Sequence, residues 1–247
     1  MTSWTIYSTF LQRAYDQIVH DVMLQKLHVV LAVDRAGLVG EDGASHHGVF
    51  DIAYLRSLPD LVLMAPRDEN ELRSMMKTAV AWGKGPIAVR YPRAPVEGVA
   101  PEPARLLEIG KGQLMRDGTD VAIIALGTMV LPAVAAAERL ERDGIRAAVF
   151  DARFVQPLDG EAIAALAARA GRIVTVEEAV LAGGFGSAVL ESLAARGLSV
   201  PALRLGVPDT LVPHGTRAQL LARLGLTPEG LAGRIGAWLA TTEPVLP

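Results

Sequence analysis

The sequence predicts an α/β protein of two consecutive three-layer domains, each a mainly parallel sheet covered by helices. Three observations predict it. Apolar runs of strand length alternate with amphipathic stretches of helical period along nearly the whole chain, the pattern of successive strand-helix-strand units. The alternation stops between Pro92 and Glu108, where Pro92, Pro95, Pro101 and Pro103 mark an extended connection. Arg, His and Asp stand just after several apolar runs, and in an open α/β sheet that edge is where ligands bind.

The elements follow in order. A short strand ends near Tyr7, and Phe10, Leu11, Ala14, Tyr15, Ile18, Val19, Val22 and Met23 recur at three- and four-residue spacing as one helical face. Val29 to Val33 reads as a buried strand, followed by a long Gly-rich loop and a second strand over Leu61 to Met64. A helix capped by Asp68 runs from Glu69 to Trp82, and a third strand from Ile87 to Tyr91. Residues 1–95 form the first domain, 96–109 the linker and 110–247 the second domain. There a hairpin around Arg116-Asp117-Gly118 leads into a strand over Val121 to Ala125 and a helix over Val130 to Arg142. Strands at Ala147 to Phe150, Ile173 to Val176 and Leu203 to Leu205 alternate with helices over Glu161 to Ala170 and Gly186 to Arg196, and two helices close the chain.

Composition narrows the function classes. With 51% hydrophobic and 21% charged residues and a net charge of −3, the chain has no basic stripe with interleaved aromatics, so no nucleic-acid partner is expected. The absence of cysteine excludes disulfides, thiolate catalysis and Cys-based zinc sites. The apolar stretches are too short and too interrupted by charge to span a bilayer, and the N-terminus lacks a secretory layout. A soluble, cytoplasmic protein is expected.

Several residues invite weaker readings. Gly183-Gly184-Phe185-Gly186 before a helix lacks the full spacing of a dinucleotide fingerprint, and tight strand-to-helix packing is the better reading. Glu177 and Glu178 are adjacent on a strand and face opposite ways, so they are not an acid–base pair; capping or an interface contact is expected. His20, His28 and His214 have no partners at metal-ligand spacing.

The stretches Tyr7 to Gln17, Asp34 to Gly48, Arg90 to Arg93, Asp151 to Asp159 and Gly183 to Gly186, in this order and spacing, strongly resemble the 1-deoxy-D-xylulose-5-phosphate synthase family of the transketolase superfamily. The resemblance covers nearly the whole chain and extends to Gly206-Val207-Pro208-Asp209 and His214-Gly215-Thr216-Arg217. It implies a transketolase-like fold in which residues 1–95 are most of a pyrimidine-binding domain and those after the linker the C-terminal domain. It implies thiamine diphosphate as cofactor, with Mg2+ held by a diphosphate-binding domain that these residues do not include. The family's cofactor-activating glutamate is expected ahead of Tyr7, where only Met1 to Ile6 stand.

The implied reaction joins pyruvate, less CO2, to glyceraldehyde 3-phosphate, for isoprenoid, thiamine and pyridoxal synthesis. The resemblance assigns Phe10 to stacking on the aminopyrimidine with Tyr7 close by, although core packing is the alternative for both. The resemblance also implies that Arg13, Arg35 and Arg93 would converge on the substrate phosphate, a task for planar guanidinium donors, although a lone arginine is usually solvated and Arg90 competes with Arg93. By the family spacing the resemblance makes His46 an acid–base group; His47 departs from the family pattern and is read as a loop neighbour. The resemblance implies that Asp42 would accept from the acceptor's hydroxyl, the alternative being a plain Asp-Gly turn. A homodimer or a complex with a diphosphate-binding chain is expected. The chain is then a synthase portion, inactive by itself; the alternatives are a subunit of a split transketolase or 2-oxo-acid dehydrogenase β-like chain, or a non-catalytic dimerisation module.

Overall fold

The computed structural model describes residues 2–245. One five-stranded sheet has the order β1 (Thr2–Tyr7), β2 (Val29–Asp34), β4 (Ile87–Arg90), β3 (Val62–Met64), β8 (Phe154–Gln156). The other runs β10 (Ala202–Val207), β9 (Ile173–Val180), β6 (Val121–Ala125), β7 (Ala147–Asp151), β5 (Gln113–Arg116). Neighbours are parallel except where β8 meets β3 and β5 meets β7. The mainly parallel α/β architecture expected from the alternating pattern is present.

Covering helices explain the composition of the inner strands. Every residue of β6 and all but Asp34 of β2 are buried, which requires continuous apolar runs rather than alternation. Each large aliphatic side chain so buried contributes about 1.5–3 kcal/mol. Helix α4 (Glu69–Trp82) starts where the Asp68 carboxylate accepts from the Glu71 amide at 2.8 Å and stops at Gly83 in the left-handed conformation. Helices α5 (Val130–Arg142), α6 (Gly160–Ala170), α7 (Phe185–Ala194), α8 (Arg217–Arg223) and α9 (Pro228–Leu239) complete the second layer set.

Four features depart from expectation. The stretch after β1 is not one regular helix: α1 (Ser8–Leu11), a 3-10 turn (Gln12–Ala14), α2 (Tyr15–Gln17) and a π-helical stretch (Ile18–Met23) follow one another. Leu11, Ile18 and Val22 are buried, while Phe10, a neighbour of Leu11 about 100° away around the axis, is 40% exposed and off the core face. There is no hairpin at Arg116-Asp117-Gly118, because β5 pairs with β7 and not with the strand that follows it. The short helix α3 (Asp51–Leu55) lies within the segment expected to be loop. Finally β8, from beyond the linker, closes the edge of the first sheet.

That exchange makes the two sheets share a core. Leu11, Ile18 and Leu63 belong to the same buried cluster as Ile124, Phe150 and Phe185. Beside it, Arg67 reaches Glu71 at 2.9 Å and Asp151 at 2.8 Å, and Arg153 reaches Glu71 at 2.6 Å. Burial and the neighbouring Glu71 hold the Asp151 carboxyl well above the usual carboxylate range. Among the described residues no helix is long and apolar enough to cross a membrane.

Candidate active site

The carboxyl ends of β1, β2 and β4 lie side by side, so Tyr7, Asp34 and Arg90 begin the loops along one edge of the first sheet. Arg35 follows Asp34 in the left-handed conformation, φ 56, with its amide donating to the Asp34 carboxylate at 2.7 Å. A non-glycine residue held there carries backbone strain of order 1 kcal/mol or more. The loop that leaves Arg35 is closed at its base by reciprocal amide–carbonyl bonds between Gly37 and Gly48, at 2.7 and 2.8 Å. Gly48 has no room for a side chain, because a Cβ would stand 2.3 Å from the Arg35 carbonyl and 2.5 Å from Ser8.

The loop tip carries the charged groups. Asp42 Oδ2 accepts from Arg35 Nη1 at 2.8 Å and from Arg93 Nη1 at 2.7 Å. Arg35 Nη2 donates to the Tyr7 hydroxyl at 2.8 Å, and its guanidinium carbon lies 3.9 Å from the centre of the Tyr7 ring. Tyr7 and Phe10 are stacked, with ring centres 5.7 Å apart and planes 25° apart. The His46 and Phe10 rings lie roughly perpendicular, at 71° with centres 5.5 Å apart, and His46 Nδ1 bonds to Ser45 Oγ at 2.9 Å. Thr9 Oγ1 donates to the Ser45 carbonyl at 2.8 Å, joining the helical stretch after β1 to the His46 loop.

Six of the seven sequence-predicted residues are thus brought together: Tyr7, Phe10, Arg35, Asp42, His46 and Arg93. Arg13 is exposed and takes part in none of these hydrogen bonds or ion pairs among the described residues. Arg90 lies apart from this cluster. It is buried, bonded to Asp51 at 3.0 Å, and serves the interior. Its partner was legible in principle, since an arginine inside an apolar strand requires a buried acid.

Two residues beside the site reach across the chain: His47, read from the sequence only as a loop neighbour, and Glu178, for which capping or an interface contact is the sequence reading. His47 is buried; its Nδ1 accepts from the Val39 amide at 3.2 Å and its Nε2 donates to the Pro213 carbonyl at 3.3 Å, tying the loop to the second domain. Glu178 enters the same loop from β9. Its neighbour Glu177 caps α7, accepting from the Phe185 and Gly186 amides at 2.7 and 2.8 Å, and burial pushes its carboxyl up to about 7. The glycine run therefore packs a strand against a helix start rather than holding a dinucleotide. Among the described residues no group of three or more His, Asp or Glu is placed to hold a metal.

Known proteins resemble this chain in sequence and fold. Residues 3–97 match the transketolase pyrimidine-binding domain and residues 110–231 the transketolase C-terminal domain. The chain is 60% identical over 238 residues to the 1-deoxy-D-xylulose-5-phosphate synthase of Thermomicrobium roseum and 56% identical over 247 residues to that of Gloeobacter violaceus, covering 96% and 97% of this chain. It spans 38% of the length of each of these relatives. Among solved structures, a split-gene transketolase described as an inactive β4 tetramer matches with a TM-score of 0.86 and 32% identity, over 98% of this chain and 77% of that one. A Pichia stipitis transketolase shares the fold with a TM-score of 0.72 at 19% identity, over 97% of this chain and 34% of that one. By the domains matched and the relatives that share them, the chain belongs to the transketolase family, within which its sequence corresponds to the C-terminal part of the 1-deoxy-D-xylulose-5-phosphate synthases.

Proposed function

We propose that this chain forms the pyrimidine side and the acceptor-substrate side of a thiamine-diphosphate-dependent 1-deoxy-D-xylulose-5-phosphate synthase. Pyruvate loses its carboxyl group as CO2, and the remaining two-carbon unit forms a carbon–carbon bond to the aldehyde carbon of glyceraldehyde 3-phosphate, whose carbonyl oxygen takes up a proton. The observation that carries this reading is the pair of guanidiniums, Arg35 and Arg93, held together by Asp42 beside an exposed aromatic ring and a histidine.

The residues fit the cofactor. An aromatic residue left 40% exposed in the helical turn that follows β1, stacked against the Tyr7 ring, is suited to stack on an aminopyrimidine. When bound, thiamine diphosphate supplies the electron sink for decarboxylation. Phe10 and Tyr7 would hold its pyrimidine, and the diphosphate with its Mg2+ belongs to a further domain.

The chain's own groups do the rest. Arg35 and Arg93 bind the phosphate through planar donors, and Arg13, three residues after Phe10 and so on the same side of that helical stretch, joins them when substrate is present. Asp42 holds the two guanidiniums through Oδ2 and keeps Oδ1 for the acceptor's hydroxyl. His46 delivers the proton to the aldehyde oxygen as the new bond forms; its ring orientation is set by Ser45 and Phe10.

The diphosphate-binding part comes either from the same polypeptide or from a partner chain in a homodimeric or mixed cytoplasmic assembly. The split-gene transketolase favours considering the partner chain, because it is a separate protein of nearly this extent. The test is product analysis with the native assembly that carries this sequence, given pyruvate, glyceraldehyde 3-phosphate, thiamine diphosphate and Mg2+. Stoichiometric CO2 and 1-deoxy-D-xylulose 5-phosphate are expected. Cofactor binding without either product would make the chain a non-catalytic relative.

A further inference from the structure

Glu178 stands on β9 of the second sheet, is 2% exposed, and sends its carboxylate into the first domain. Oε1 accepts from the Leu38 amide at 2.9 Å, across 140 residues, and from Arg217 Nε at 3.1 Å; Oε2 accepts from Thr128 Oγ1 at 2.7 Å and from Arg217 Nη2. Gly37 makes this approach possible: its φ is +84, and a Cβ would lie 2.8 Å from the Glu178 carboxyl carbon. A buried carboxylate with this many donors is a poor source of stability, since an apolar replacement is often neutral or better. Its position is more informative. Leu38 lies between Arg35 and Asp42, and the next amide, that of Val39, is held from the second domain through His47 and the Pro213 carbonyl.

We propose that Glu178 is a positioning residue for the acceptor site: it fixes the Leu38 backbone so that Asp42 aligns Arg35 and Arg93, and thereby sets the preference for a phosphorylated aldehyde without touching it. The inference rests on the acceptor-site reading above. Its physical content is a coupling between the second domain and the phosphate donors that runs through one amide and one carboxylate.

The experiment compares glyceraldehyde 3-phosphate with unphosphorylated glyceraldehyde as acceptors for the cofactor-loaded assembly, parent against Glu178→Ala and Glu178→Gln. The alanine variant is expected to raise KM for the phosphorylated acceptor by about tenfold, the loss of one charged hydrogen bond's alignment. KM for glyceraldehyde and for pyruvate should stay within about twofold. Gln retains an acceptor for the Leu38 amide and should recover part of the loss. If Glu178→Ala does not fold, Thr128→Val, which removes one donor from the carboxylate, is expected to show the same selectivity at a smaller size. Equal changes for both acceptors, or no change, overturn the role of Glu178 and leave the synthase reading intact. A parent assembly that forms no product overturns both.

Discussion

Asp42 and Arg93 meet at 2.7 Å although 51 residues separate them, and the same carboxylate oxygen takes the guanidinium of Arg35 at 2.8 Å. Two like charges placed side by side repel unless an anion lies between them. In the free protein Asp42 fills that role, so the two arginines stand aligned before any phosphate arrives. Replacing Asp42 by Ala should let both side chains disperse and raise KM for glyceraldehyde 3-phosphate by about tenfold at this partly exposed site. Steady-state kinetics at fixed pyruvate checks it, and an unchanged KM removes Asp42 from the alignment.

Arg35 is asked for two things at once, a strained backbone and a functional head group. Its φ of 56 favours glycine over alanine, reversing the usual order. Arg35→Gly should therefore be more stable than Arg35→Ala by about 1 kcal/mol in denaturant unfolding, while both lose binding of the phosphorylated acceptor. Arg35→Lys should behave nearer to these than to the parent, because an ammonium does not reproduce the planar bond to Tyr7 and Asp42 together. A glycine variant less stable than the alanine one contradicts the backbone argument.

His46→Ala is expected to cut product formation by about a hundredfold or more. The stability cost should be small, since the ring is half-buried and bonded only to Ser45. Comparing turnover with thermal unfolding separates the two.

Phe10 makes the opposite trade from a core aromatic. At 40% exposure its replacement by Ala should leave folding stability within about 1 kcal/mol and weaken thiamine diphosphate binding in the assembled enzyme by about tenfold, the size of one aromatic stacking contact. Titration calorimetry with the cofactor and Mg2+ measures this, and an unaltered affinity would return Phe10 to ordinary surface packing.

Glu177 gives a pH prediction with a definite sign. Its folded carboxyl lies at about 7 against an ordinary 4.5 because burial disfavours the charged form. Folding therefore favours the protonated acid: the contribution is fully present below about 4.5 and is lost as pH rises toward 7. Relative to Glu177→Gln, whose amide does not titrate, the parent should lose roughly 3 kcal/mol across that window. Urea unfolding at pH 5 and pH 8 tests it; a constant difference between the two proteins would contradict it.

What the sequence made legible follows from how local each signal is. Helices α4 and α5 were readable to the residue because long amphipathic periods and the Asp68 cap are local. For the adjacent glutamates the strand alternation left capping or an interface contact open; the distant partners decide between them, sending one into the α7 amides and one into the first domain. Strand β8 was not, since its few residues gain strand character only by pairing with β3, far away in the chain. His47 escaped for the same reason: its partners are a backbone amide and a backbone carbonyl, the second 166 residues distant, and neither leaves a trace in residue type. Phe10 shared the helical spacing of the core residues but lies about 100° around the axis from the buried Leu11, which leaves it off the core face at 40% exposure.

In the proposed reaction Arg35 and Arg93 receive the phosphate of an acceptor whose reacting carbon lies beside a pyrimidine stacked on Phe10. A crystal structure of the cofactor-loaded assembly with glyceraldehyde 3-phosphate tests it most directly. Phosphate oxygens are expected within hydrogen-bond distance of both guanidiniums, with Asp42 still bridging them and His46 close to the aldehyde oxygen. A phosphate held elsewhere, with Arg35 and Arg93 still paired only to Asp42, would contradict it.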